Sequence, residues 1–447
     1  MTTATQPHIR PAATARTAHL VLWAFVLANL VIVELMLLNP KTPAHNTLTE
    51  VGRFLGMHLA FVMALQLLLI ARLPFLDRRL GMDKLTTWHR WTGFTLFWLV
   101  VLHPTVVLLG YSRLDRISFF AEIPNLAKQI PVLLGMTAAG LIAIIAATSV
   151  RAVRRILPYE AWHTIHLLVY AVVGLGIIHQ VYEGSAFKSN IFTQAYWWAL
   201  WAFAIGALLT GRLLVPVVRN ARHRFRVAAL VPESGDVVSV YVTGRHLDRL
   251  DARPGQFFLW RFPGHNPWWQ VNPWSLSAAP DGRSLRLTAK GIGTTSAGLR
   301  TMPVGTRVFA EGPYGAFTAD QRVRESTVLI AGGIGVTPIR SLLEDPRLTG
   351  DIVVLYRVPT RADAVLLGEL QNLADVRGGR LHVLTGRTGP DNQPFSPRGL
   401  QALVPDIAAR DVFVCGPAAM TDAVLRSLRE LGVPARQRHA ETFRLAS

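Results

Sequence analysis

The segment WHRWTGFTLFWLVVLHP, Trp88 to Pro104, is apolar enough to cross a membrane, yet it carries a histidine near each end. His89 and His103 are fourteen residues apart. In an α-helix, this spacing returns the second side chain to within about 40° of the first and places it about 21 Å farther along the axis. Ionisable side chains inside a bilayer cost free energy and usually mark a functional site. The segment therefore predicts two sites stacked at different depths.

A second apolar segment offers a partner for each of these histidines. His166 and His179 are thirteen residues apart in the run at about 163–182, and both segments are predicted to cross from the inside to the outside. His89 and His166 are then expected at one depth near the cytoplasmic face, and His103 and His179 at another near the outer face. Two facing imidazoles at each of two depths form the ligand set of two stacked b-type haems.

Other interpretations of these histidines remain open. Each can be a polar residue satisfied within a helix bundle, or part of a proton path. The thirteen-residue spacing leaves His179 about 140° from the ideal same-face position. His163 is a rival to His166 but lies closer to a basic loop, and His58 is interpreted as structural. Three glycines on the two segments can allow either a macrocycle or a neighbouring helix to approach: Gly93, Gly174 and Gly176.

The apolar runs and the loop charges predict a membrane topology. Hydrophobic residues make up 51% of the 447 residues and charged residues only 17%. Runs long enough to span a bilayer occur at about 19–38, 54–72, 90–110, 131–149, 163–182 and 194–216. Arginine is concentrated before the first run and after the second, fourth and sixth, which places both termini in the cytoplasm. We therefore expect a multi-pass protein of the plasma or inner membrane.

Charge and cysteine content exclude several other classes of protein. The formal net charge is +18, but no Lys/Arg tract is interleaved with aromatic residues, so nucleic-acid binding is not predicted. Cys415 is the only cysteine, which excludes an internal disulfide and a cysteine-based zinc or iron–sulfur site. Arg53, at the outer end of the second run, is a candidate for a haem propionate or an anionic acceptor, or else a snorkelling surface side chain.

The second half of the chain reads as two soluble domains. From about 222 to 322, short alternating strands separated by Gly and Pro predict an antiparallel β-barrel. From 323 to 447, alternating strands and helices predict a doubly wound α/β domain. Its first strand, Thr327–Ala331, leads into a glycine-rich turn, where we expect Thr337 as N-cap and Pro338 as the first helical residue, a junction suited to phosphate. The predicted division is thus a cytoplasmic segment 1–18, a six-helix bundle 19–221, and the two domains.

The motifs NPWSLS, AGGIGVTP and VCGP, together with the four histidines, give the chain a strong resemblance to the ferric reductase/NADPH oxidase superfamily. In that superfamily a six-helix dihaem domain is fused to FAD- and NADPH-binding domains that are similar to ferredoxin–NADP reductase. The resemblance implies that a flavin motif contacts the isoalloxazine and ribityl chain and that a second segment holds the pyrophosphate. The flavin motif residues are Pro273, Trp274, Ser275 and Ser277, and the pyrophosphate residues are Lys290, Gly291, Thr294 and Thr295. Asn272 departs from the usual Arg or His, so phosphate neutralisation rests more on Lys290.

The same resemblance implies roles in the nucleotide domain. The nicotinamide-nucleotide phosphate loop corresponds to Gly332, Gly333, Gly335, Thr337 and Pro338. Cys415, Gly416 and Pro417 correspond to the segment beside the nicotinamide, and Phe443 to an aromatic residue over the flavin, or else to a packed tail residue. Arg357 and Arg387 are candidates for the 2′-phosphate, because a guanidinium suits phosphate; they favour NADPH, with NADH also possible, and exposed arginines without this role remain the alternative.

The resulting expectation is a transmembrane oxidoreductase that uses NADPH, FAD and two b-type haems to reduce an acceptor outside. Oxygen, ferric or cupric chelates, a quinone or a partner protein are all open as the acceptor, and the sequence does not predict an oligomeric state. Two other functions remain: a membrane-anchored flavin reductase that serves a cytoplasmic partner, and a histidine-containing transporter or proton channel without haem.

Overall fold

The computed structural model describes residues 12–38, 44–184, 187, 190–265, 267, 270–291, 298–389 and 392–442. The chain divides into two compact units. Of the described residues, the first contains His19–Leu73 and Asp83–Arg212, and the second contains the residues before His19, Pro74–Met82 and the chain from Leu213 to Thr442. The first unit is helical, whereas the second combines antiparallel sheets with a parallel sheet.

Among the described residues, six helical stretches are long and apolar enough to cross a membrane, as the sequence predicts. The chain is thus a multi-pass membrane protein. These stretches and the shorter helices between them are, in chain order, α1 (Ala12–Leu38), α2 (Thr47–Leu69), α3 (Pro74–Leu80), α4 (Met82–Asp115), α5 (Phe119–Leu126), α6 (Ile130–Ser149), α7 (Arg151–Arg154), α8 (Tyr159–Leu167), α9 (Val169–Glu183), α10 (Ile191–Leu209) and α11 (Val215–His223). A π-helical turn, Thr210–Leu214, joins the last two.

Local sequence explains where several of these helices begin and bend. Asn46 starts α2 with a capping box, in which its side chain accepts the Thr49 N–H and Thr49 accepts the Asn46 N–H. The fifth span consists of two helices, because α8 ends and α9 begins around Leu168, whose N–H donates to Ile165 three residues back. A uniform rotation of 100° per residue therefore does not hold between His166 and His179.

The core of the helical unit is built around α2. Its buried apolar side chains include Phe61 and Met63, and they pack in one cluster with Trp197 and Trp201 of α10. Most of the remaining spans expose large apolar side chains, as expected for surfaces that face lipid. A span that carries none of the four nominated histidines therefore supplies much of the core of the bundle.

The region after α11 contains two three-stranded antiparallel sheets rather than one closed sheet. One has the order β1 (Arg226–Ser234), β2 (Val237–Thr243), β5 (Ser284–Lys290), and the other has the order β4 (Asn272–Ser275), β3 (Phe257–Arg261), β6 (Phe309–Tyr314). Single bridges, Leu276 to Leu287 and Arg226 to Arg307, join their edges. Within the described residues the predicted barrel is thus not closed by continuous ladders, because only one residue pair connects the sheets at each edge.

The last region is a doubly wound domain, as predicted. Its five parallel strands have the order β11 (Arg438–Thr442), β10 (Asp411–Gly416), β7 (Thr327–Gly332), β8 (Ile352–Arg357), β9 (Arg380–Leu384). The main connecting helices are α12 (Val336–Glu344), α13 (Leu367–Val376), α14 (Pro397–Leu403) and α15 (Ala418–Glu430). The strand order reverses between β7 and β10, and the carboxyl ends of strands at such a switch point are where these sheets bind ligands.

Candidate functional site

The structure brings the four nominated histidines together as two pairs. His89 of α4 and His166 of α8 have ring centroids 6.3 Å apart, with ring planes at 72°. His103 of α4 and His179 of α9 have ring centroids 6.4 Å apart, also at 72°. The pairing in depth expected from the sequence is therefore present, and the break at Leu168 lies between the two histidines whose spacing did not fit an ideal helix.

Backbone hydrogen bonds orient the pair of His103 and His179, which we call the outer pair after the side of the membrane that the sequence predicts for it. The Nδ1 of His103 donates to the Gly52 carbonyl at 2.8 Å, and the Nδ1 of His179 donates to the Pro131 carbonyl at 2.9 Å. A carbonyl can only accept, so each ring carries its proton on Nδ1 and keeps the lone pair of Nε2 for a metal. A metal-bound histidine usually donates its other ring N–H to a carbonyl or carboxylate in this way.

The geometry of both pairs fits a haem iron. An imidazole nitrogen binds a metal at about 2 Å, and adding roughly 1 Å from nitrogen to ring centre on each side gives a centroid separation of about 6 Å. Among the described residues no group of three or more His, Cys, Asp or Glu side chains is arranged to hold a metal ion. Two protein ligands per site suit a metal whose other ligands come from a macrocycle.

Two glycines that the sequence did not single out lie against the outer histidines. A Cβ at Gly56 of α2 would lie 2.8 Å from the His103 ring, and one at Gly135 of α6 would lie 2.7 Å from His179 Nδ1. Of the glycines nominated earlier, Gly93 approaches Gln66 and Gly176 approaches Met63, which favours helix packing, and Gly174 faces open space. The missed glycines lie on other helices, so spacing along the histidine-bearing segments could not find them.

The other candidate residues of the spans, His58, Arg53 and His163, contact groups other than the two histidine pairs. His58 donates from Nδ1 to the Phe54 carbonyl, and its Nε2 lies 3.2 Å from a carboxylate oxygen of Glu34. Its partner is therefore an acid and not another histidine. Arg53 lies 3.5 Å from Glu50. His163 has its ring centroid 6.4 Å from that of Trp162, whereas His166 stacks on Trp162 at 5.0 Å.

The predicted flavin motif forms strand β4 and the residues that follow it. Pro273, Trp274 and Ser275 pair with β3, and the Trp274 carbonyl accepts the indole N–H of Trp260. Asn272 has a buried Nδ2 without a hydrogen-bond acceptor in the part of the chain that the structure describes. An unsatisfied buried donor is unusual, and it fits a residue that donates to an absent anionic ligand.

Ser277 lies deeper than its predicted role suggests. Its side chain is fully buried, and its hydroxyl accepts from Arg286 Nε at 3.1 Å and from Thr288 at 2.7 Å. Lys290, at the end of β5, is exposed and lies 3.4 Å from Asp236, while Gly291 donates to the Asp236 carbonyl. Thr294, Thr295 and Phe443 lie outside the described residues.

The glycine-rich turn lies at the switch point of the parallel sheet. Gly332 ends β7, Gly333 has a φ of +51°, and Gly333–Gly335 form a short 3-10 turn. The expected helix start is wrong: α12 begins at Val336, its N-cap is Gly335, and the Thr337 hydroxyl donates to the Ile334 carbonyl. The helical conformation starts earlier because the 3-10 turn leads directly into α12, so Pro338 is its third residue.

Close backbone packing joins this turn to the end of β10. A Cβ at Gly335 would lie 2.3 Å from the Cys415 carbonyl oxygen, and one at Gly416 would lie 3.0 Å from the Gly332 Cα. Cys415 is fully buried, and burial, followed by the nearby Glu441 carboxylate, raises the pKa of its thiol well above the usual range. The thiol is therefore uncharged at neutral pH. Pro417 follows as the N-cap of α15.

The two candidate phosphate-binding arginines differ in exposure. Arg357 ends β8 beside Gly332, and its Nη1 donates to the Thr385 carbonyl at 2.7 Å and to Asn392 at 3.3 Å. Its Nη2 is buried without an acceptor among the described residues. Arg387 is exposed, and its carbonyl accepts from the Asn392 amide. Asn392 thus links the loops that carry both arginines.

Comparison with known protein families assigns two parts of the chain. Residues 55–177 match the family described as "Ferric reductase like transmembrane component", and residues 329–426 match the "Oxidoreductase NAD-binding domain". The first match contains His89, His103 and His166, and it ends two residues before His179. The second contains the glycine-rich turn and Cys415.

Similar proteins include reductase components of bacterial enzyme systems. A glycine betaine monooxygenase reductase subunit of Chromohalobacter salexigens is 26% identical over 50% of the chain. "NADH oxidoreductase HCR" of Escherichia coli is 30% identical over 47% of the chain. The chain covers 65% of the length of each of these relatives. The FAD/NAD-binding domain of a nitric oxide dioxygenase from Vibrio cholerae is a similar solved structure, with 23% identity, a TM-score of 0.40, and coverage of 49% of this chain and 98% of that one.

The two matched regions follow the same order along the chain as the helical and α/β regions of the structure. The chain thus contains a region similar to the ferric reductase like transmembrane component and, after it, a region similar to an oxidoreductase NAD-binding domain.

Proposed function

We propose that this protein carries electrons across the membrane, from cytoplasmic NADPH to an acceptor on the outer face, with FAD and two b-type haems as its cofactors. When bound, FAD converts hydride transfer into single-electron transfer, and the haems carry single electrons. The proposal rests on the two histidine pairs. The ring centroids of His89 and His166 are 6.3 Å apart, and those of His103 and His179 are 6.4 Å apart.

The residues at each cofactor position would bind and orient rather than react. The imidazoles of each histidine pair would together hold one haem iron. In the second unit, Asn272 would donate from its buried amide to the flavin diphosphate, and the turn Gly332–Gly335 would present backbone N–H groups to the nucleotide phosphates.

The preference for NADPH rests on Arg357. Its guanidinium lies at the carboxyl end of β8 with one buried nitrogen that has no acceptor among the residues that the structure describes, and Arg387 is exposed on the neighbouring loop. A phosphate on the adenosine ribose would supply the missing acceptor. For the acceptor outside, oxygen and ferric chelates are the candidates.

The test is a visible spectrum of the purified full-length protein during anaerobic addition of NADPH. We expect low-spin bis-imidazole haem bands, bleaching of a flavin absorption band, and reduction of both haems. Absence of haem bands in protein purified from haem-supplemented cells would support a transporter instead. Flavin reduction without haem reduction would support a membrane-anchored flavin reductase. Addition of oxygen with and without superoxide dismutase, or of ferric chelates, then distinguishes the acceptors.

A further inference from the structure

A cluster of charged residues, with buried arginines and partly exposed carboxylates, joins the antiparallel sheets to the nucleotide domain within the second unit. We call it the interdomain ion cluster. Its residues are Arg286 of β5, Arg340 and Glu344 of α12, and Glu369 of α13. Arg286 and Arg340 are buried, with side chains 5% and 9% exposed.

Arg286 binds both domains with one guanidinium group. Toward the nucleotide domain it is bidentate, with Nη1 and Nη2 donating to the two carboxylate oxygens of Glu369 at 2.8 and 2.9 Å. Toward the predicted flavin motif, Nη2 donates to the Ser277 carbonyl at 2.7 Å and Nε donates to the Ser277 hydroxyl at 3.1 Å. Because the guanidinium is planar and rigid, it holds Ser277 and Glu369 in a fixed relative position.

Glu369 also binds the helix that follows the glycine-rich turn. Arg340 Nε of α12 lies 2.8 Å from Glu369 Oε2. Arg340 in turn pairs with Glu344, whose carboxylate accepts the backbone N–H of Ala279 at 2.6 Å. Burial is the largest single influence and would raise the pKa of the Glu369 carboxyl, but the hydrogen bonds and positive charges of Arg286 and Arg340 together outweigh it, so the pKa is lowered. One carboxylate therefore remains charged between two arginines.

The segments connected in this way carry the two predicted cofactor sites. Ser277 and Ala279 follow β4 of the flavin motif, and α12 starts at the nucleotide phosphate turn. Hydride transfer requires the two reacting rings to meet closely, and a misplacement of about 1 Å can slow a reaction by about 100-fold. A rigid connection between the segments would prevent such misplacement.

We propose that Glu369 is a positioning residue that aligns the nicotinamide with the flavin through Arg286 and Arg340. This inference rests on the proposed function, because it presumes FAD in the antiparallel sheets. A purely stabilising role is the alternative. A buried ion pair is in itself weak evidence for stability, but removal of one partner leaves the other as an uncompensated buried charge, which destabilises the fold. Glu369→Gln is therefore the informative change, because it keeps the shape and one acceptor oxygen.

The test measures anaerobic flavin reduction by NADPH in the full-length protein by stopped-flow absorbance. We expect Glu369→Gln to lower the rate constant of this step by roughly 10- to 100-fold. The ratio of FAD to protein and the extent of reduction by dithionite, which bypasses NADPH, should not change. Hydrogen exchange without nucleotide should become faster in 277–286 and 336–344. Glu430→Gln, at an exposed site on α15, is the matched control and should behave as wild type.

Arg286→Lys is a second variant, which retains the positive charge but loses the bidentate contact of the guanidinium with Glu369. We expect flavin reduction by NADPH to be slower in this variant too. A wild-type rate in both variants would overturn the proposal. So would a slower rate that is explained entirely by lost FAD, because Glu369 would then be structural. A wild-type protein that binds FAD but is not reduced by NADPH contradicts the proposed function itself, and is thus distinguishable from failure of this inference.

Discussion

At the residue scale, the outer histidine pair depends on backbone rather than on side-chain partners. Carbonyl groups of Gly52 and Pro131 fix the ring protons of His103 and His179, and small residues leave room beside the rings. The identity of the residue beside each ring should therefore matter almost as much as the histidine, because it determines where Nε2 points.

Gly135→Ala is expected to impair the outer haem selectively. The added Cβ would lie 2.7 Å from His179 Nδ1, so the ring must move and its hydrogen bond with Pro131 must stretch. Loss of such support typically lowers metal affinity by about 10- to 100-fold. The measurement is the haem-to-protein ratio from the pyridine haemochrome spectrum, which should fall from two toward one.

Gly140→Ala is the matched control for this change. Gly140 lies on the same helix, α6, and a Cβ there would meet no atom within 4 Å. It should leave the ratio unchanged. Equal haem loss in both variants would show that α6 tolerates no substitution and would remove the special role of Gly135.

At the element scale, the sequence determines most of the architecture. Six spans, the antiparallel strands and the doubly wound sheet all follow from hydrophobic periodicity and turn residues. The helix start at the glycine-rich turn was predicted wrongly, since Thr337 looks like an N-cap until the 3-10 turn before it is seen. Whether the antiparallel strands close into a barrel depends also on the register between neighbouring strands, and the alternation of residues along one strand does not reveal that register.

The histidine pairs could be nominated from the sequence because regular helices convert spacing into depth. Their supporting contacts could not be. Gly56 and Gly135 lie on helices without histidines, and the Arg286–Glu369 pair joins residues 83 positions apart. Such contacts depend on how elements pack against each other, and no local pattern in the chain records that packing.

Gly335→Ala should weaken nucleotide binding. The new Cβ would lie 2.3 Å from the Cys415 carbonyl, a backbone atom that cannot rotate away, so the turn must separate from β10. We expect the dissociation constant for NADP⁺, measured by isothermal titration calorimetry, to rise by at least about tenfold, which corresponds to about 1.4 kcal/mol.

The control for this variant is Gly368→Ala on α13, where a Cβ would meet nothing within 4 Å. Its dissociation constant should equal that of the wild type. Unchanged binding in Gly335→Ala would contradict the placement of the phosphates at this turn.

Acid should destabilise the nucleotide domain through Arg410. This buried arginine pairs with Asp351 at 2.5 Å and with Asp406 at 2.8 Å, and its hydrogen bonds lower the pKa of both carboxyls. A lowered folded-state pKa means that the stabilisation is complete above the unfolded value of about 4 and is lost as the pH falls through the folded value.

The measurement is the thermal midpoint of the full-length protein between pH 3 and pH 7. The double change Asp351→Asn with Asp406→Asn should lower the midpoint at pH 7 and flatten its decline below about pH 4. Glu430→Gln should leave the pH profile as it is. An unaltered profile in the double variant would show that these carboxylates do not govern the acid response.

At the scale of the whole molecule, the proposed electron transfer has a direction. The arginine-rich loops predict that the NAD-binding domain lies in the cytoplasm, and the two histidine pairs would hold the two proposed haems at different depths. Nicotinamide nucleotides do not cross the bilayer, so the electron donor and the final acceptor would be used on opposite sides.

The most direct test reconstitutes the purified protein in sealed vesicles with a membrane-impermeant ferric chelate trapped inside and NADPH added outside. Molecules with their NAD-binding domain outward should reduce the trapped chelate. His103→Leu should abolish this reduction, and His58→Leu, which removes the histidine paired with Glu34, should preserve it. Reduction that occurs only on the NADPH side, or that is indifferent to His103, would contradict transmembrane electron transfer.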